Sequence, residues 1–98
     1  MRNVYCILED GCSGVFYKQF SESYGYAKST TLFDAFSSFM PHHIYNAWIN
    51  DECECFALFP NRDALKINVD DTILTLLRLC NDDEATNVIV HIQYRFLT

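Results

Sequence analysis

Cations are scarce in this sequence: seven Lys and Arg stand against thirteen Asp and Glu, a formal net charge of −6. A phosphate backbone would meet the protein's own repulsive field, so no direct nucleic-acid partner is expected. Three Gly and two Pro in 98 residues leave no collagen-like or low-complexity segment. No apolar run approaches the ~20 residues that a membrane-spanning helix needs. Met1 to Asp10 also lacks a basic region followed by an uninterrupted apolar stretch. The expectation is a soluble, cytoplasmic chain with no membrane partner. Five cysteines (Cys6, Cys12, Cys53, Cys55 and Cys80) cannot all pair with one another, and free thiols in a reducing compartment are expected.

Apolar bulk is plentiful. Eight Phe, six Tyr and one Trp can furnish one core, and a chain of this length buries roughly two thirds of the surface its unfolded form exposes. A single domain spanning residues 1–98 is expected.

Val4 to Leu8 and Val15 to Phe20 are β-rich runs around the turn residues Gly11, Cys12, Ser13 and Gly14, which predicts an N-terminal hairpin. Ser21 to Lys28 is polar with Tyr24 and Tyr26 set around Gly25. It either extends the second strand or forms an exposed aromatic loop. Ser29 or Thr30 can cap a helix whose Leu32, Phe33, Phe36, Phe39 and Met40 recur at helical spacing, with Pro41 ending it.

His42 to Ile49 fits two periods. Ile44, Ala47 and Trp48 suit a helical face, whereas Tyr45, Ala47 and Ile49 suit a strand. The alternating run from Cys53 to Phe59 after Asn50, Asp51 and Glu52 favours the strand, and with it a central hairpin. A second helix starts at Asn68 or Asp70 and carries the stripe Ile73, Leu76, Leu77 and Cys80. Val88 to Phe96 alternates cleanly, with His91, Gln93 and Arg95 on the face away from Val88, Val90, Ile92, Tyr94 and Phe96, so one side of the sheet is expected to be wet. The order ββαββαβ implies an α+β fold: a mostly antiparallel sheet of about five strands with two helices packed on one face.

Motifs that carry chemistry do not assemble. His42, His43, Cys53 and Cys55 are suitable ligand types, but Cys-x-Cys on a strand and two adjacent histidines lack the spacing of a zinc site. No metal and no cofactor are assigned. A Cys/His nucleophile pair has nothing to fix its proximity, and the Gly11–Gly14 segment lies between strands instead of opening a helix at a phosphate. The chain is therefore read as a non-enzyme.

Surfaces carry the reading instead. Asp51, Glu52 and Glu54 form one acidic run, and Asp82, Asp83 and Glu84 another; each is also what a solvated turn looks like. Seven Tyr and Trp residues beside eight Phe exceed what a small core can hold, so some are expected at the surface, where they favour interface hot spots. The functional expectation is a small acidic inhibitor or adaptor that occupies a basic site on a larger protein. Asp51, Glu52, Glu54, Asp82, Asp83 and Glu84 would present charge, and Tyr24, Tyr26 and Trp48 would anchor the contact. A small acidic chain of this kind has the general character of anti-CRISPR and anti-restriction proteins of phages, and of immunity proteins that neutralise nuclease toxins; the likeness is one of composition. The alternatives are a homo-oligomer joined through an edge strand Val88 to Phe96 and a metal protein built on His42, His43, Cys53 and Cys55.

Overall fold

The structure, a computed structural model, describes residues 2–11, 14–80 and 85–98. Cys12 and the acidic run Asp82, Asp83 and Glu84 lie outside the described residues, as does the side chain of Tyr24.

Among the described residues, five strands and four helices follow in the order β1 (Asn3–Asp10), β2 (Gly14–Ser21), α1 (Tyr24–Ser29), α2 (Leu32–Phe36), α3 (His42–Ile49), β3 (Cys53–Leu58), β4 (Leu65–Ile67), α4 (Ile73–Leu79) and β5 (Asn87–Phe96). The α+β class is as expected, and the sheet is mixed. Its strand order is β2-β1-β5-β3-β4. β1 pairs with β2 antiparallel from Asp10↔Gly14 to Asn3↔Ser21, and parallel with β5 from Asn3↔Asn87 to Leu8↔Ile92. β3 runs antiparallel to both β5 and β4.

Strand alternation sorts the side chains into two layers. Val4, Cys6 and Leu8 of β1, Val88, Val90 and Ile92 of β5, Cys53, Cys55 and Ala57 of β3, Phe20 of β2 and Ile67 of β4 are all buried. They share one core with Leu32, Phe36, Phe39, Ile44, Trp48, Ile73, Leu76 and Leu77 from the helical side. The helices therefore cover one face of the sheet and leave the other open.

Four sequence expectations are corrected here. First, residues 42–49 form a helix, so the central hairpin does not exist. The helix wins because Ile44, Tyr45, Ala47 and Trp48 all reach the core from one side, a larger burial than alternate residues of a strand could supply. The segment closes with Glu52 N–H donating to Ala47 O (2.8 Å) and Asp51 N–H to Trp48 O (3.3 Å). That is a Schellman ending, with Asp51 at φ 60° in the position usually given to glycine.

Second, Ser21 to Lys28 extends the strand only at Ser21 and then, instead of a loop, Tyr24–Ser29 coils into α1, which lies against α4. Third, the α2 helix is shorter than its pattern. Thr31 Oγ1 accepts from Asp34 N–H (3.2 Å) to start it, and it ends at Phe36, with Phe39 and Met40 buried in the following turn. Fourth, α4 begins at Ile73 after Thr72, whose N–H donates to Thr75 Oγ1. Asp71 closes the preceding turn by accepting from Asn68 N–H (2.8 Å).

The strand Val88 to Phe96 is also misplaced by the sequence reading. β5 is the central strand, hydrogen-bonded by β1 on one side and β3 on the other. β1 covers it over Asn87–Ile92 and β3 over His91–Phe96, so it is not the edge strand on which the expected homodimer was built.

A left-handed Asp51 carries a testable cost. An L-residue with a Cβ there is strained by about 1–2 kcal/mol relative to the right-handed region. Asp51→Gly is therefore expected to raise unfolding stability by about 1 kcal/mol, measured by urea denaturation. A fall in stability would show that the carboxylate itself holds the turn.

Candidate functional site

The uncovered face of the sheet is the most unusual surface of the molecule. From β2 it presents Val15, Tyr17 and Gln19, from β1 Tyr5, Ile7 and Glu9, and from β5 Ile89, His91, Gln93 and Arg95. β3 adds Glu54, Phe56 and Leu58, and β4 adds Lys66. Val15 is 67% exposed, Tyr17 58% and Ile89 52%. Tyr5 opposes Ile89, and its ring stacks on that of Tyr17 with centroids 5.8 Å apart. Ile7 opposes Tyr17 on one side and His91 on the other. An apolar and aromatic stripe thus crosses β2, β1 and β5, where a solvated sheet face would carry polar residues.

The far end of the face is polar and internally balanced. Glu54 bonds the Arg95 guanidinium and lies 3.3 Å from Lys66 Nζ. Hydrogen bonds from these two cations hold its carboxyl below the usual glutamate range. Arg95 also lies over the Phe56 ring, 5.8 Å from its centroid. Glu54 therefore serves the sheet's own charge network, which leaves it poorly placed to receive a partner's cation.

The other expected site residues divide. Asp51 and Glu52 are exposed at the α3–β3 turn, and Glu52 O accepts from Leu97 N–H (3.0 Å) just beyond β5. This puts both acids beyond the same sheet end toward which β1 carries Glu9. Tyr26 of α1 is 36% exposed, on the helical side, and partial burial raises its hydroxyl pKa. Trp48 is the clear correction: it is 4% exposed and packs against Phe36 and Tyr45. Its place on α3, four residues after Ile44, turns it into the core, so it cannot anchor a partner at the surface.

Sequence reasoning missed Tyr5, Ile7, Val15, Tyr17 and Ile89 as a group. A signal existed, since the alternation in β5 puts Ile89 on the same wet face as His91 and Gln93. What it could not supply was the neighbour: β1 and β5 are more than eighty residues apart in sequence and meet as parallel strands.

Chemistry-bearing groups elsewhere do not converge. Asp10, 5% exposed, accepts from the Tyr94 hydroxyl (3.1 Å) and lies 3.4 Å from His43 Nε2, closing the end of β1 onto α3. Cys53 and Cys55 face the core from β3. Among the described residues no group of three or more His, Cys, Asp or Glu is arranged to hold a metal. A cleft of about 610 Å³ lies between Trp48, Asp51, Lys66, Asp70 and Leu97.

Burial alone pushes the Cys6 thiol up to about 12; burial first, and then the neighbouring Cys53 thiol, push that of Cys55 upward as well. A thiolate is the reactive form, so neither should react with a thiol reagent at neutral pH in the folded protein. Peptide mapping after brief alkylation is expected to find both unmodified until denaturant is added; modification of Cys55 in the native chain would contradict its place in the core.

No helix among the described residues is long and apolar enough to cross a membrane. No protein-family model, curated protein or solved structure matches the chain.

Proposed function

We propose that this chain is a small acidic protein-binding inhibitor or adaptor that acts by occupying a basic site on a larger protein, without catalysis. The observation that carries this reading is the sheet face left without a helix, on which Tyr5, Ile7, Val15, Tyr17 and Ile89 form an apolar stripe. An apolar centre with charge at its margin is the usual anatomy of a protein contact.

Charge supports the choice of partner. The stripe itself carries no charged side chain, and the polar end of the face neutralises its own carboxylate through Arg95 and Lys66. Unpaired acid stands at one margin of the face, with Asp51, Glu52 and Glu9 toward one end of the sheet. A partner with an apolar patch rimmed by Lys and Arg would be steered by the net charge of −6 and held by the stripe. This revises the anchor set: Tyr17, Ile89 and Tyr5 take the role first assigned to Trp48.

The test is capture of the tagged chain's partners from its source cells, with elution along a salt gradient. A stoichiometric protein with a basic surface, released as salt rises, is the expected result. Recovery of no stoichiometric protein would overturn the reading.

A further inference from the structure

The two edges of the sheet differ. β4 is three residues long, whereas β2 runs for eight residues, Gly14–Ser21, with a neighbour on one side only. β2 contains no proline and one charged residue, Lys18. Edge strands are normally blunted by proline, bulges or charge because their free N–H and C=O groups template further pairing. Here the one charge is turned aside: Lys18 lies on the helical side and donates to Ser38 Oγ (3.1 Å).

We propose that the outer edge of β2 pairs antiparallel with the β2 strand of a second copy of this chain, joining two five-stranded sheets into one. The register follows from the ladder. Glu22 N–H donates to Arg2 O (2.9 Å), continuing the β1–β2 pairing beyond Asn3↔Ser21. Bonded and non-bonded pairs alternate in an antiparallel ladder, so Phe16, Lys18 and Phe20 bond inward to β1. Val15, Tyr17 and Gln19 then direct their N–H and C=O groups to the open edge.

A two-fold axis at Tyr17 pairs Tyr17 with Tyr17 of the second copy, Val15 with Gln19, and Lys18 with Phe16. The stacked Tyr5 and Tyr17 rings would then continue across the axis as one aromatic row. Centring the axis on Lys18 instead sets two ammonium groups directly opposite, which is unfavourable. Centring it on Phe16 shortens the overlap to Gly14–Lys18.

Charge permits the approach. Although the chain holds thirteen acids, β2 has none, and the acid that follows it, Glu22, is 3.5 Å from the Arg2 guanidinium. Val15 and Tyr17, the most exposed large apolar side chains among the described residues, stand beside this edge. Self-pairing uses the edge and not the open face, so it is independent of the docking proposed above.

Site-specific disulfide trapping tests the register. In a background with Cys12→Ser and Cys80→Ser, Tyr17→Cys puts two thiols across the axis at a bonded-pair separation of about 5.5 Å between Cα atoms, which a disulfide accepts. Gln19→Cys faces Val15 of the other copy and lacks a thiol partner. Covalent dimer from Tyr17→Cys at least tenfold faster than from Gln19→Cys is expected. Equal rates, or no dimer from either, would overturn the proposal. Sedimentation of the unmutated chain provides a measurement without substitutions: a rise from 11.4 kDa to twice that mass with concentration is expected, and a monomer up to about 1 mM, a threshold of weak affinity, would overturn it.

Discussion

Replacing Phe36 by Ala is expected to lower the unfolding free energy by about 3–5 kcal/mol, a range set by buried aromatic truncations. Phe36 has no exposed surface. Its ring lies 5.3 Å from that of Phe39, 5.7 Å from Trp48 and 6.1 Å from Phe20. One side chain thus joins the sheet edge, the turn after α2 and the third helix. The helix that carries it is five residues long, too short to hold together without tertiary contacts. A cavity among three rings therefore weakens three elements at once, against a total stability of about 5–15 kcal/mol for a domain. Urea denaturation should show a large drop in midpoint with little change in slope. The comparison is Phe33→Ala, one turn away from the core and 45% exposed, where a much smaller loss is expected. Similar losses at both positions would contradict the placement of Phe36 at the centre of packing.

The second large effect is on association. Ile89→Asp is expected to weaken binding of the captured partner by about 100-fold or more, the scale of a hot-spot loss. Ile89 lies on the central strand, opposite Tyr5 and at one margin of the apolar stripe. A carboxylate there would be buried against the partner without a pairing group on this chain. Because the side chain is half exposed, the domain itself should survive the change with about 1 kcal/mol lost to strand preference, which circular dichroism and unfolding curves check. Asp51→Lys combined with Glu52→Lys should act differently, slowing association and flattening its salt dependence more than it speeds dissociation. Unchanged affinity of Ile89→Asp would remove the open face from the contact.

How much of this was legible in the sequence differs by element. The hairpin of β1 and β2 follows from two β-rich runs around turn residues, and the strand at Cys53 and the strand ending at Phe96 from alternation, which buries Cys53, Cys55 and Ala57 of one and Val88, Val90 and Ile92 of the other. Residues 42–49 satisfy both periods; the joint burial of Ile44, Tyr45, Ala47 and Trp48 decides for the helix, and the Schellman turn at Asn50 and Asp51 closes it. An aspartate in the left-handed region gives no glycine to announce it. β4 is too short to show a period. The central position of β5 was not legible, since alternation reports the two faces of a strand and says nothing of its lateral neighbours. The site inherits these differences. Reading 42–49 as a strand sends Trp48 to the surface, whereas the helix turns it inward. Tyr17 and Ile89 stand on separate strands that only the parallel pairing of β1 with β5 unites into a stripe with Tyr5 and Ile7.

Hydroxyl-radical footprinting of the chain alone and in the captured complex discriminates most directly between the open sheet face and the helical side as the contact. The expected result is protection of Tyr5, Tyr17 and Ile89 in the complex, with Tyr26 and Phe33 on the helical side labelled equally in both states. Protection of Tyr26 and Phe33 with Tyr17 and Ile89 unchanged would contradict it and move the contact to the helices.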